Sequence, residues 1–249
     1  MMSIPLTFFD RLASRYDETW TDTPVGRIQR NAVWRELDRL VKPHGRILDL
    51  GCGTGEDALH FMQAGAIVET LDGSPAMVEA ARRRGVNARL LRIEQISELA
   101  GSFDLVLSNF GALNCVQDLA ALREPLARLI HSGGALAICV MNRLCIWEIA
   151  YYAARGQFKK ASRRWAGETE ASSGLRVYYP SARTIKLAFS PGFRLIRDLG
   201  VGVAVPPSYV NGVPLPALSR LKACDTRIAA SGIGKAVADH RLLIFTRSR

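Results

Sequence analysis

The sequence predicts an α/β protein built on a largely parallel sheet. Three observations carry that prediction. Short apolar runs alternate with helical patterns from Arg46 onward, the first run ends in a glycine-rich turn, and the next run ends in an acid 17 residues beyond that turn.

The first run, Arg46 to Leu50 (RILDL), reads as a buried strand closed by Gly51. A helix follows from about Glu56, with Ala58, Leu59 and Met62 on its apolar face. Ala66 to Leu71 is a second strand, ending at Asp72. Ser74 is placed to cap the next helix and Pro75 to occupy its first turn, where a missing N–H costs nothing. Ala88 to Ile93 and Phe103 to Asn109 read as strands three and four. Leu119 to Ile130 is helical, with Pro125 forcing a bend or a restart. Ser132-Gly133-Gly134 turns the chain into a fifth strand, Ala135 to Met141. Phe193 to Val203 and His240 to Arg247 complete the set, joined by a proline-rich excursion.

Two regions stand outside this alternation. Residues 1–45 are largely helical and precede the first strand, and residues 142–180 are rich in aromatic residues and arginine. In an open α/β sheet, ligands bind beyond the carboxyl ends of the strands. Both regions are positioned to fold over that edge, the first as an N-terminal lid and the second as a cap inserted after strand five. At 249 residues the chain is read as one domain, 1–249, carrying both additions.

Composition narrows the class. An apolar share of 48% and a charged share of 22% are those of a chain that buries an ordinary core. The five cysteines (Cys52, Cys115, Cys139, Cys145, Cys224) form no CxxC pair and no His/Cys cluster at ligand spacing, so neither a metal nor a disulfide framework is expected. The opening MMSIPLTFFDR lacks the basic-then-apolar order of a signal peptide, and a cytoplasmic location is expected. The least charged stretch, Gly133 to Ala154, contains Arg143 and Glu148, and reads as a strand and helix instead of a membrane span. The net charge of +10 is spread along the chain and is weak evidence for a polyanionic partner.

The chemistry concentrates in Asp49-Leu50-Gly51-Cys52-Gly53-Thr54-Gly55, directly after a strand. Glycines let the backbone turn and approach a ligand closely, and the helix that follows offers free N–H groups. Asp72, at the end of the next strand, is placed to accept from both hydroxyls of a ribose. A dinucleotide fingerprint needs G-x-G-x-x-G, and Glu56 stands where the last glycine belongs. A carboxylate there suits a cationic nucleoside better than a pyrophosphate.

The stretches ILDLGCGTG, LDGSPAMVEAARRRG, FDLVLSNFGALN and LARLIHSGGALAI together resemble the class I S-adenosylmethionine (SAM)-dependent methyltransferases, in the small-molecule branch of ubiquinone- and menaquinone-type enzymes. The resemblance covers roughly residues 8–141. It implies a Rossmann-like, seven-stranded, mostly parallel sheet with its last strand antiparallel and helices on both faces. It also implies SAM as cofactor, S-adenosylhomocysteine as its product, and no metal. By the same resemblance Asp49, Gly51, Cys52, Gly53 and Gly55 line the methionine half of SAM. Asp72 holds the ribose, with Gly73, Ser74 and Met77 near the adenosine. Glu94, Gln95 and Ile96 meet the adenine edge, although the usual Gly-Asp-Ala is missing there. Ser108, Asn109 and Phe110 lie beside the sulfonium. The opening FFDRLASRYD resembles that branch's FD-x-x-A-x-x-YD, which brings Tyr16, and with it Arg30, near the SAM carboxylate.

For the acceptor, the candidates are Trp20, Asn114, Trp147, Tyr151, Tyr152, Tyr178, Tyr179 and Tyr209. Aromatic residues at the ligand edge suit an apolar or aromatic small molecule, attacking through an O, N or C atom. No catalytic base is assigned, because the four histidines are isolated in sequence and a sulfonium needs little help to leave. The basic segment 155–165 admits a peripheral membrane contact. Two alternatives stand beside this reading. A nucleic-acid methyltransferase is suggested by the +10 charge, against which Ser-Asn-Phe-Gly replaces the Pro-Pro-aromatic motif of amino-group enzymes. A non-catalytic SAM-binding protein is the other. Oligomeric state is not encoded in any readable pattern.

Overall fold

A computed structural model describes residues 8–170, 174–210 and 213–248. Residues 1–7 of the expected lid and 171–173 of the expected insertion lie outside them.

The chain opens with a short helix, α1 (Phe8–Leu12), a 3-10 turn and one π-helical turn (Asp17–Thr21), and then α2 (Pro24–Leu37), capped by the Thr23 hydroxyl. The alternation follows: β1 (Arg46–Leu50), α3 (Glu56–Gln63), β2 (Ile67–Asp72), α4 (Pro75–Arg83), β3 (Ala88–Leu90) and β4 (Phe103–Ser108). Next come α5 (Arg123–Leu129), β5 (Ile130–Met141), α6 (Ile146–Ala153), α7 (Phe158–Ala161) and a small antiparallel pair, β6 (Glu168–Glu170) and β7 (Arg176–Tyr178). The chain closes with α8 (Ala182–Phe189), β8 (Phe193–Val201), α9 (Leu215–Ile228), α10 (Gly232–Val237) and β9 (His240–Arg247).

The main sheet has seven strands in the order β3-β2-β1-β4-β5-β9-β8. β1, β2, β3, β4 and β5 pair in parallel, and β9 runs antiparallel to both of its neighbours, so the expected fold is the one observed. Strand order reverses direction between β1 and β4, which opens a crevice at their carboxyl ends. Alternate residues feed two cores, one on each face. Leu48, Leu50, Val106, Leu136 and Phe245 pack on one side, and Ile47, Leu105, Leu107, Ala137 and Ile244 on the other. Burial on both faces is why these strands read as unbroken apolar runs.

Three details depart from the sequence reading, and one, the restart at Pro125, agrees with it. The third strand ends at Leu90, and Ile93 begins a 3-10 turn (Ile93–Glu98). On α3 the buried anchor is Phe61, fully enclosed, whereas Met62 is 39% exposed. Around Pro125 the helix does restart: a 3-10 turn (Ala120–Leu122) precedes α5, and the proline sits in the first turn, where it breaks no helical bond. The proline-rich excursion before the last strand contains α9 and α10, whose first-turn Pro216 and Ser231 cap start helices the eye passes over.

Candidate cofactor site and its surroundings

The glycine turn and Asp72 make one unit. Gly53 N–H donates to Asp72 Oδ2 (2.9 Å) and Ser74 N–H to Asp72 Oδ1 (2.8 Å). Ser74 Oγ caps α4 by accepting from Met77 N–H, as its position predicts. Backbone donors thus reach both oxygens of Asp72, and a carboxylate has further acceptor capacity for hydroxyl groups. Burial pushes the Asp72 carboxyl up from its ordinary value, and these backbone donors pull it partly back.

Gly51 and Gly53 have φ of +78° and +55°, a region L side chains rarely adopt. A Cβ on Gly51 would stand 2.4 Å from the Ala112 Cβ, so glycine there is a packing requirement. A Cβ on Gly53 would enter open space whose nearest heavy atom is Tyr16 Cε1, at 4.0 Å. That space is the cradle.

Around it lie buried polar atoms without partners. Asp49 is 1% exposed, and its Oδ2 has no hydrogen-bond partner. Burial, followed by the neighbouring Asp57 charge, holds its carboxyl well above the ordinary range. Arg30 is also buried. It donates from Nη1 to Asp57 Oδ2 (2.6 Å) while its Nε is unpartnered. An orphaned acid and an orphaned guanidinium N–H flanking one turn suit a ligand with both an ammonium and a carboxylate, as an amino acid has. Burial pushes the Tyr16 phenol up to about 12, which keeps it a neutral donor. Burial also raises the Cys52 thiol, so it is protonated and unreactive.

At the end of β4 the residues divide their labour. Ser108 Oγ donates to Leu50 O (3.0 Å), which ties β4 to β1 at the crevice. Asn109 Nδ2 donates to Asp57 Oδ2 (3.1 Å), and its Oδ1 accepts from Phe110 N–H. Phe110 has φ of +47°, a strained conformation for a side-chain-bearing residue. Its ring packs against Trp20 (4.5 Å between centroids) on one side and His240 (5.2 Å) on the other. The Arg30 guanidinium lies over Trp20 and Phe110, 4.7 and 5.1 Å from their centroids. Trp20 therefore packs with Phe110 and Arg30 at the end of β4.

The N-terminal segment is fastened to this edge by ions. Asp17 accepts from Thr54 Oγ1 and Arg84 Nη2, each at 2.6 Å. Glu56 accepts from Arg84 (3.0 Å) and from Arg27. Asp10 receives the Ser74 hydroxyl and the Ala76 N–H.

Other expected site residues fall elsewhere. Glu94 and Gln95 are exposed on the turn after β3, whereas Ile96, at 1% exposure, is part of the core. Asn114 is placed inside the protein. It is fully buried, donating to Met141 O and Tyr178 O and accepting from Met141 N–H, so its amide is spent on joining β5 to β7. Trp147 Nε1 donates to Val203 O, and Tyr209 OH to Glu148. Tyr151, Tyr152 and Tyr209 form one aromatic cluster, 5.2 to 5.9 Å between centroids. Tyr178 is half-buried, and Tyr179 is enclosed beneath Arg164.

Sequence reasoning missed two organising acids. Asp57 gathers Arg30, Trp34 Nε1 (2.6 Å) and Asn109. Glu148, 1% exposed, accepts two bonds from Arg163 (2.9 Å each), one from Arg164 (2.8 Å) and one from Tyr209 (2.8 Å). Arg164 continues to Asp239 Oδ1 (2.9 Å), whose Oδ2 lies 3.3 Å from His240 Nδ1. The only sequence-level hint was an acid inside an otherwise apolar helix.

Residues 48–138 match the methyltransferase domain family. This stretch, under half of the chain, is similar to a methyltransferase domain. The chain is 32% identical over 136 residues to a demethylmenaquinone methyltransferase from Mycolicibacterium vanbaalenii, covering 53% of this chain and 58% of that one. It is 40% identical over 117 residues to a trans-aconitate 2-methyltransferase from Deinococcus radiodurans, covering 45% and 44%. The chain thus spans about half the length of the curated relatives it matches. Among solved structures, a SAM-dependent methyltransferase from Mesorhizobium loti superposes with a TM-score of 0.60 at 20% identity, covering 87% of this chain and 98% of that one. The N-methyltransferase NodS from Bradyrhizobium japonicum, in complex with S-adenosylhomocysteine, superposes at 0.58 with 15% identity and 96% of each chain. At that identity they establish the class I methyltransferase fold. No helix among the described residues is long and apolar enough to cross a membrane, and no group of three or more His, Cys, Asp or Glu there is arranged for a metal.

Proposed function

We propose that this methyltransferase domain binds SAM and transfers its methyl group to an O, N or C atom of a small, apolar or aromatic acceptor. The observation that carries the reading is the cradle at Gly53, between the Asp72 carboxylate and the unpartnered polar atoms of Asp49 and Arg30. Asp72 holds the ribose hydroxyls, and Asp49 and Arg30 hold the two charged groups of the methionine half. Gly73, Ser74, Met77, Glu94 and Gln95 border the nucleoside.

Bound SAM supplies a methyl group on a sulfonium, which departs as a neutral thioether. The chain's own contribution is placement. Trp20 and Phe110 exclude water from the edge where Ser108 and Asn109 end β4, so that the acceptor is held in line and desolvated. Arg30 is neutralised by Asp57, so it does not repel a sulfonium there. Residues 8–45 and the described part of 142–180 act as lid and cap on the single domain, with Trp147, Tyr151, Tyr152, Tyr178 and Tyr179 bordering the acceptor.

Calorimetric titration of SAM and S-adenosylhomocysteine into wild type and Asp72→Asn tests the reading. The substitution is expected to weaken binding by about 1.5–3 kcal/mol, the worth of hydrogen bonds to a charged group. Folded wild-type protein that binds neither ligand refutes the proposal. Binding without turnover on any acceptor leaves the non-catalytic alternative in its place.

A further inference from the structure

We propose that the face formed by residues 143–167 docks on an anionic lipid bilayer. Its charge is one-sided. The segment holds six basic residues (Arg143, Arg155, Lys159, Lys160, Arg163, Arg164) and one acid, Glu148. That acid is 1% exposed and draws Arg163 and Arg164 inward. The internal charges are thereby paired, and Arg143, Arg155, Lys159 and Lys160 stand exposed with no acid of the segment among them. The next acids, Glu168 and Glu170, lie beyond Gly167 on β6, where Glu170 stands in register with Arg176.

The same face is apolar to an unusual degree. Leu144, Ile146, Phe158 and Trp165 are 38%, 51%, 69% and 50% exposed. They are four of the twelve large hydrophobic residues found exposed among the described residues, within a segment of about a tenth of the chain. Arg143 Nη2 donates to Trp165 O (2.9 Å), which ties Leu144 and Trp165 into one neighbourhood. The Arg155 guanidinium lies over the Tyr151 ring, 3.6 Å from its centroid, and the Lys160 ammonium lies 5.6 Å from that of Tyr152, so cations and aromatic rings alternate on this segment. Phe and Trp standing among Lys and Arg fit a bilayer interface, where rings enter the acyl boundary and cations meet headgroup phosphates. Exposed Leu144 and Ile146 gain nothing on a nucleic-acid backbone, which favours lipid over RNA.

The face is also bolted beside the cofactor edge. Arg164 donates to Asn142 O, Asp239 O and Asp239 Oδ1, next to the ends of β5 and β9, and His240 meets Phe110. Docking therefore presents that edge to a molecule dissolved in the membrane. This last step rests on the methyl-transfer reading, whereas the docking itself does not.

The test is sedimentation of the full chain with vesicles of phosphatidylcholine alone or mixed with phosphatidylglycerol, beside a gel-shift titration with a short RNA. Binding only to the mixed vesicles is expected, weakening with salt. Both Phe158→Ser and the pair Lys159→Glu/Lys160→Glu are expected to lower it by about tenfold, with the melting temperature unchanged. Absence of binding to the mixed vesicles, or binding that neither variant reduces, overturns the proposal. So does RNA binding lost in the charge pair but kept in Phe158→Ser, without vesicle binding. S-adenosylhomocysteine titration on the same preparation separates the two readings: ligand binding without vesicle binding removes only the docking, and the reverse removes only the cofactor.

Discussion

Asp57 Oδ2 lies 2.6 Å from Arg30 Nη1, and both side chains are almost wholly enclosed, at 7% and 6% exposure. The pair joins α2 to α3 beneath the crevice, and Asn109 adds the end of β4 to the same carboxylate. Breaking a buried pair strands a charge that water cannot reach. Asp57→Ala is therefore expected to cost about 3–5 kcal/mol in urea unfolding. Arg30→Met combined with it should recover part of that loss, because no charge is then left alone. A double variant as unstable as the sum of the two single variants would show that the pair is not coupled.

The two loop glycines separate folding from binding. Gly51→Ala drives a Cβ to 2.4 Å from Ala112 at φ +78°, and is expected to cost about 2 kcal/mol or more. Gly53→Ala meets nothing nearer than Tyr16 at 4.0 Å, so it carries only the backbone strain of about 1–2 kcal/mol. Its methyl group enters the cradle, and S-adenosylhomocysteine affinity should fall by about tenfold or more, roughly 1.4 kcal/mol. Thermal melts and calorimetry on the two variants decide it. Equal effects of both on folding and on binding would contradict the division.

Glu148 and Asp239 predict an acid limb of stability. Burial alone would raise both carboxyls, but Arg163 and Arg164 hold Glu148 below its ordinary value, and His240 and Arg164 do so for Asp239. A carboxylate whose folded value is depressed gives stability that is present above the unfolded value, about 4, and lost as pH falls through the folded one. Wild type should therefore weaken progressively below about pH 4. Glu148→Gln should be destabilised by about 3–5 kcal/mol at pH 7, with the gap to wild type narrowing in acid. A gap that stays constant from pH 7 to 3 would assign the loss to packing instead of charge.

What the sequence disclosed was local. RILDL, the glycine turn, Asp72 and the Ser74-Pro75 start each state their geometry within a few residues. Strand alternation then supplied the sheet. What stayed hidden depends on partners far along the chain. Asp57 looks like a surface acid on α3 until Arg30 and Asn109, 27 and 52 residues away, close on it. Asn114 resembles a pocket residue only because its true partners, Met141 and Tyr178, are distant in sequence. Ile96 is placed at the adenine edge by resemblance alone, and its side chain lies in the core.

The ionic fastening of the N-terminal segment predicts a salt-dependent release rate. Asp17 bridges Thr54 of the glycine turn and Arg84 at the end of α4, with side chains 24% and 30% exposed for the ion pair. Such half-exposed pairs contribute only about 0–1 kcal/mol to stability and are screened by salt. Asp17→Ala should therefore melt close to wild type. If the segment must lift for the ligand to leave, S-adenosylhomocysteine should dissociate several-fold faster from this variant in stopped-flow. Raising salt should accelerate release from wild type toward the variant rate while changing the variant little. An unchanged dissociation rate in Asp17→Ala would mean the segment does not gate the site, and the Asp17 contacts would then serve only to seat the π-helical turn against the glycine turn and the end of α4.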